Sequence, residues 1–145
     1  MKISTKGRYA LRMLIDLAEH RNDGYVSLRD IAERQNVSKK YLEQIIPMFN
    51  KTNFLKTNRG SQGGYMLAQP PEKYTVGQIL RLTENSLSPV DYTDAEMNLS
   101  DSSGEYAMFP VWQELDRVIN SYLDSVTLQD VLDGQRERYA GDYTI

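Results

Sequence analysis

The chain has no cysteine, one histidine and one tryptophan among its 145 residues. Without thiols it has no disulfides, no thiolate metal sites and no cysteine nucleophile. The single imidazole, His20, makes no metal site unaided, and a surface role is expected for it. No apolar run approaches the length that spans a membrane. The opening stretch MKISTKGRYALRMLIDLAEH is charged within its apolar part and lacks a small-residue cleavage site, so it does not read as a signal peptide. These absences point to an intracellular, cytoplasmic protein. No nucleophile is paired with a base, and no phosphate loop of the GxxxxGKS kind occurs, so nothing supports an enzyme or requires a cofactor.

What is present is ordinary for a folded domain, with 40% hydrophobic and 26% charged residues and a net charge of −3. The charge is unevenly spread. Residues 1–67 hold 12 Lys and Arg against 6 Asp and Glu, net +6, whereas residues 68–145 hold 5 against 14, net −9. A basic half in an acidic chain suits a surface that meets a polyanion, and chance scatter of solvated charge suits it equally.

Helix signals dominate. Ser4 or Thr5 caps a segment carrying Leu11, Leu14, Ile15 and Ala18 at helical spacing, ended by Asn22–Gly24. Ser27 with Asp30 opens a short helix that turns Leu28, Ile31 and Ala32 inward. Asn36 suits a left-handed turn, and Ser38 caps a third helix with Leu42, Ile45 and Ile46 on one face. Pro47 implies a kink or a fresh start. FLKT and YMLA read as two short strands around a glycine stretch, and Thr75 with Gln78 caps a further helix holding Ile79, Leu80 and Leu82. Leu87 to Ala107 reads as a mobile loop. Pro110 then starts a long helix whose Val111, Leu115, Val118 and Tyr122 have coiled-coil spacing, widened by Trp112, Ile119 and Leu123. Thr127 with Asp130 opens a last short helix closed by Gly134, and the rest is an unpatterned tail.

Two short helices joined by a tight turn form a helix-turn-helix, and its inner apolar pattern alone would suit any small bundle. The outer face discriminates. Lys39, Lys40, Tyr41 and Gln44 cluster at the amino end of the second helix, which reaches base edges in such motifs. The capping Ser38 and neighbouring Glu43 join them as contacts once the family resemblance given below is applied. The stretch RGSQGGYML (59–67) reads as the tip of a hairpin wing, with Gly60, Gly63 and Gly64 letting the backbone lie along a phosphate chain and Arg59 placed to enter a minor groove. Glu43 reads two ways: as an acceptor for a cytosine amino group, or as a solvated charge. The fold expected is mainly α with a small β-hairpin wing, a winged helix-turn-helix plus a long helix bearing an apolar seam. It divides into a DNA-binding domain (1–68), a connecting helix and loop (69–108), the long helix with a short following helix (109–134), to which the resemblance below gives the dimerisation role, and a tail (135–145).

MKISTKGRYA, SKKYLEQ and RGSQGGYML together resemble the Rrf family of bacterial winged-helix transcription regulators, in register over nearly the whole chain. The resemblance implies a homodimer joined through the Val111–Leu123 helix, with DNA contacts falling on the recognition-helix residues above. It also implies phosphate contacts from Lys2, Lys6 and Arg8. Iron–sulfur members carry three cysteines in the loop matching Leu87–Ala107; this chain has none, which sets aside sensing through a cluster. SLSPV (86–90) and MKISTKGRY are similar to the cysteine-free, CymR-type branch, repressors of cysteine metabolism that work with cysteine synthase. That enzyme captures another partner by a tail ending in isoleucine, and this sequence reads GDYTI at 141–145. Asp142, Tyr143, Thr144 and Ile145 are therefore the expected docking tail, the carboxylate held by backbone donors and the isoleucine by a pocket. Two other readings stay open. One is an interaction module acting directly on cysteine synthase; the other is a small-molecule-sensing regulator of another branch.

Overall fold

The computed structural model describes residues 1–90 and 104–142. Ser4 opens the first helix, its Oγ accepting the Gly7 amide at 3.0 Å, and α1 runs Thr5–Glu19. Its buried face is Gly7, Ala10, Met13, Leu14, Leu17 and Ala18, while Leu11 and Ile15 are half-buried. The buried band is broader than the expected stripe because α1 is the hub, packed by α2, α3, α4, α6 and the second strand.

Ser27 caps α2 (Leu28–Gln35), Asn36 turns the chain in the left-handed region at φ 53° and ψ 50°, and Ser38 caps α3 (Lys39–Ile45). All three features follow the sequence reading. Pro47 produces a fresh start rather than a bend: α3 stops at Ile45, and a 3-10 turn follows over Ile46–Phe49. The hairpin pairs β1 (Leu55–Asn58) antiparallel to β2 (Gly64–Leu67), with Leu55 opposite Leu67 and Asn58 opposite Gly64. Val26, just before α2, exchanges two 2.8 Å backbone bonds with Tyr65 and so ties the wing to the helix-turn-helix. Buried Tyr74 anchors the wing base from the other side. Its hydroxyl donates to the Phe54 carbonyl at 2.7 Å and accepts the Gln69 amide, and burial pushes its phenol above the usual range.

A full capping box, Thr75 with Gln78, opens α4 (Val76–Thr83). Two long helices follow, α5 (Gly104–Ser125) and α6 (Leu128–Asp142). Their ends correct the sequence reading. Pro110 lies inside α5 rather than starting it; at this exposed position the missing amide loses a single bond to the Tyr106 carbonyl. Of the expected loop, Gly104–Ala107 is already helical, and residues 91–103 lie outside the described residues. Thr127 and Asp130 exchange capping bonds at 2.9 and 3.0 Å, but Gly134 does not close α6. It keeps helical backbone instead of the left-handed turn a stop requires, and the good helix formers after it carry the helix on. Leu128 and Leu132 of α6 join the core formed by α1, α2, α3 and the wing base. No helix among the described residues is long and apolar enough to cross a membrane.

One charged residue belongs to the interior. Asp16 of α1 is fully buried and accepts two bonds from Arg34 of α2, at 2.7 and 3.0 Å, and one from Gln35 at 3.1 Å. His20 is half-buried against the end of the same helix, its Nδ1 2.9 Å from the Asp16 carbonyl, rather than free on the surface. The carboxylate holds the Arg34 guanidinium above its ordinary pKa. Asp16→Ala leaves Arg34 unpaired, and we expect a loss of about 3 kcal/mol, tempered by the 36% exposure of Arg34. Urea titration measures it; a midpoint within error of the unsubstituted chain would contradict the assignment.

Candidate nucleic-acid interface

The amino ends of α2 and α3 face the wing across an open cleft of about 850 Å³. Its lining includes Arg29 from α2, Lys39 from α3, Asn50 after the 3-10 turn, and Asn58, Arg59 and Gly60 from the wing. Three cations and no carboxylate line it. Lys39 and Arg59, distant in sequence, are thereby brought to one place. Arg29, Asn50 and Asn58 were not anticipated; Arg29, two positions past the Ser27 cap, is the one a reader could have found.

The other recognition-helix residues divide. Ser38 spends its hydroxyl on the Tyr41 amide at 3.2 Å, a cap that fixes how α3 enters. Lys40, Glu43 and Gln44 are exposed, and Lys40 does not line the cleft. Glu43 lies 3.9 Å from Lys39 Nζ, so the two share a loose surface pair. Tyr41 is half-buried: its ring meets Tyr9 edge-on at 5.2 Å, and Arg12 sits over Tyr9 at 5.3 Å. The tyrosine is a spacer between α3 and α1 with one edge available outside. Lys2, Lys6 and Arg8 are exposed at the start of α1, with Lys6 beside Tyr41 at the rim of a second, smaller cleft.

The three glycines do different jobs. Gly60 takes φ +134°, a conformation that excludes other residues cheaply. Gly63 and Gly64 are needed for closeness: a Cβ would sit 2.3 Å from the Asn58 carbonyl oxygen in the first case and 2.3 Å from that of Val26 in the second. Gly64 therefore faces the protein's own backbone.

Away from the cleft lining, α5 buries none of its residues. Val111, Leu115, Val118 and Tyr122 are exposed along it, Val118 by 48% and Tyr122 by 66%. Trp112 and Ile119 are half-buried, and Trp112 lines a small cavity with Pro89, Val90 and Phe109. Asp142 ends α6, and Tyr143, Thr144 and Ile145 lie outside the described residues.

The family model described as Rrf2, iron-dependent transcriptional regulator, matches residues 3–134. The HTH-type transcriptional regulator CymR of Bacillus subtilis is 38% identical over 142 residues, covering 96% of this chain and 97% of that protein. The chain belongs to the Rrf2 family. Solved structures agree with this Rrf2 assignment in three dimensions. CymR, the global cysteine regulator of B. subtilis, superposes with a TM-score of 0.76 at 37% identity, over 90% of this chain and 95% of that one. IscR of T. potens gives 0.73 at 40% identity, over 95% and 90%. The mainly helical fold with a two-stranded wing is thus the fold of Rrf2 regulators, and the chain is a transcriptional regulator of that type.

The Rrf2 description names iron, and the donor set here does not fit a thiolate-held cluster. There is no cysteine in the chain, and among the described residues no three His, Asp or Glu side chains converge.

Gly64→Ala tests the internal role of that glycine. The added methyl collides with the Val26 backbone, and a loss of about 1–3 kcal/mol is expected. Thermal melting reads it; an unchanged midpoint would mean the wing is free of α2.

Proposed function

We propose that this chain is a homodimeric, sequence-specific DNA-binding repressor that places one recognition helix and one wing on each half of a pseudo-palindromic site. The observation carrying the reading is the cleft lined by Lys39, Arg59 and Arg29 with no carboxylate in its lining. Glu33 and Glu43 make only loose exposed pairs with Arg29 and Lys39, at 3.5 and 3.9 Å. Backbone phosphates are the natural occupants of such a cleft, and base edges lie within reach of the amino end of α3. Arg59 enters the minor groove, Lys39, Lys40 and Gln44 work in the major groove, and Lys2, Lys6 and Arg8 add sequence-independent phosphate contacts. The twin is held through Val111, Leu115, Val118 and Tyr122, an apolar row too exposed to be left in water. Trp112 and Ile119 support that row from its inner edge.

The finer reading follows the similarity to CymR, the global cysteine regulator of B. subtilis. The regulated genes belong to cysteine and sulfur metabolism, no iron–sulfur cluster takes part, and the signal arrives when cysteine synthase docks on Asp142–Ile145. Deleting Ile145 then abolishes capture by the enzyme in calorimetry while free-chain DNA binding is kept; persistent capture refutes the docking.

Two measurements test the DNA-binding core. Arg59→Ala should weaken duplex binding about tenfold, consistent with one lost groove contact of about 1–3 kcal/mol, while the dimer stays intact. Binding by the unsubstituted chain should fall steeply with salt, because several phosphates are neutralised; a flat response in gel-shift titration would reject DNA recognition. Leu115→Asp should sediment as a monomer, since a buried unpaired carboxylate is costly, and a retained dimer would move the interface elsewhere.

A further inference from the structure

The helix proposed to join the twins is attached to its own head in an unusual way. None of α5 is buried, and none of its residues belongs to the hydrophobic core. Its carboxyl end is pinned to the head by backbone: Val76 donates to Val126 at 2.8 Å, and Leu128 donates to Tyr74 at 3.0 Å. A pin at one end, with only half-buried apolar residues such as Phe109 and Trp112 beside Pro89 and Val90, leaves room for the rod to swing.

The swing is stopped by side chains. Arg81, on α4, bonds both oxygens of Asp124 at 2.7 and 2.9 Å and the side-chain oxygen of Asn120 at 2.8 Å. Asn120 in turn donates to Asp116, which also accepts the Ser88 hydroxyl at 3.0 Å. Residues 116, 120 and 124 recur every four positions, so they form one face of α5, distinct from the apolar row. Gly77 shows how close the two helices come, since a Cβ there would lie 2.1 Å from Asp124 Oδ1. A two-pronged guanidinium contact fixes direction as well as distance, which a single ammonium does not.

We propose that Arg81 is a positioning residue that sets the angle between reading head and dimer rod, and through it the separation of half-sites the dimer accepts. This rests on the DNA-binding dimer proposed above. The lever is long: 22 residues of α5 span about 33 Å, and a swing of about 10° displaces its far end by roughly 5–6 Å, more than one base-pair step.

The test begins with a duplex site selected from a random-sequence library by the unsubstituted full-length chain. Base pairs are then added or removed, one at a time, between its halves. The unsubstituted chain should lose about tenfold in affinity for each change of one pair, since the two heads then face different directions. Arg81→Gln should flatten this to about threefold or less and lower affinity for the selected site, with dimer mass and binding to an isolated half-site unchanged. Arg81→Lys should fall between the two. Asp124→Asn removes the other half of the contact and should reproduce the flattening. Both side chains are more than 40% exposed, so these variants are expected to keep the fold, and Asp124→Asn carries the test if Arg81→Gln melts early. A spacing profile unchanged in both variants overturns the assignment of Arg81. An unsubstituted chain that selects no duplex, or that sediments as a monomer, overturns instead the reading on which it rests.

Discussion

A carboxylate with no water around it holds the reading head together. Asp16 is buried at the middle of the fold, and its oxygens are filled by Arg34 and Gln35, the last turn of α2. Arg12, one turn earlier on α1, bonds the Gln35 carbonyl from the same side. The residues just before the Asn36 turn are thus gripped from α1 at side chain and backbone alike. Since α3 begins three residues after that turn, its direction is inherited from this grip. Apolar packing alone would hold α2 near α1, but it would tolerate a rotation that a three-bond carboxylate does not.

Beyond the head, the molecule changes its means of cohesion. Inside it, Ala10, Met13, Leu14, Ile31, Leu42, Ile45 and Phe49 make a continuous apolar core, and α6 returns to close that core with Leu128 and Leu132. Between head and α5 the apolar contact is only half-buried, and hydrogen bonds open to water add to it. Arg81 holds the Asp124 carboxyl below its usual range, so the pair stays ionised at neutral pH and loosens only as pH falls below the ordinary aspartate range. Apolar within the head and largely polar along α5, the chain divides its stiffness by interaction type.

Much of this was legible in the residue order. The caps at Ser4, Ser27, Ser38 and Thr75 are local chemistry, and each appears in the structure where the spacing put it. Asn36 and the wing were legible for the same reason. The ends of the long helices were not. Pro110 and Gly134 are strong punctuation in isolation, yet Pro110 does not start its helix and Gly134 does not end its own, because one lost bond or one flexible residue is outweighed by the turns on either side. The Asp16 cluster was invisible for a different reason: a charged residue on an amphipathic helix reads as solvated until its partner, 18 positions on, is known. In the candidate interface, Lys39 and Arg59 could be named from motif, whereas Asn50 and Asn58 depend on how the hairpin folds over α3.

Glu84 tempers the head. One of its oxygens accepts both the Ser4 amide, at 2.7 Å, and the Ser4 hydroxyl, at 2.9 Å, and so rests against the opening of α1, in the cleft that Lys6 also lines. Its negative charge weakens the pull of that corner on any phosphate that arrives. Phosphate contacts carry no sequence information, so such a weakening acts on right and wrong sequences by the same factor. In the DNA-binding reading proposed above, that corner gives up affinity at every site alike, which shortens residence on decoys and targets together.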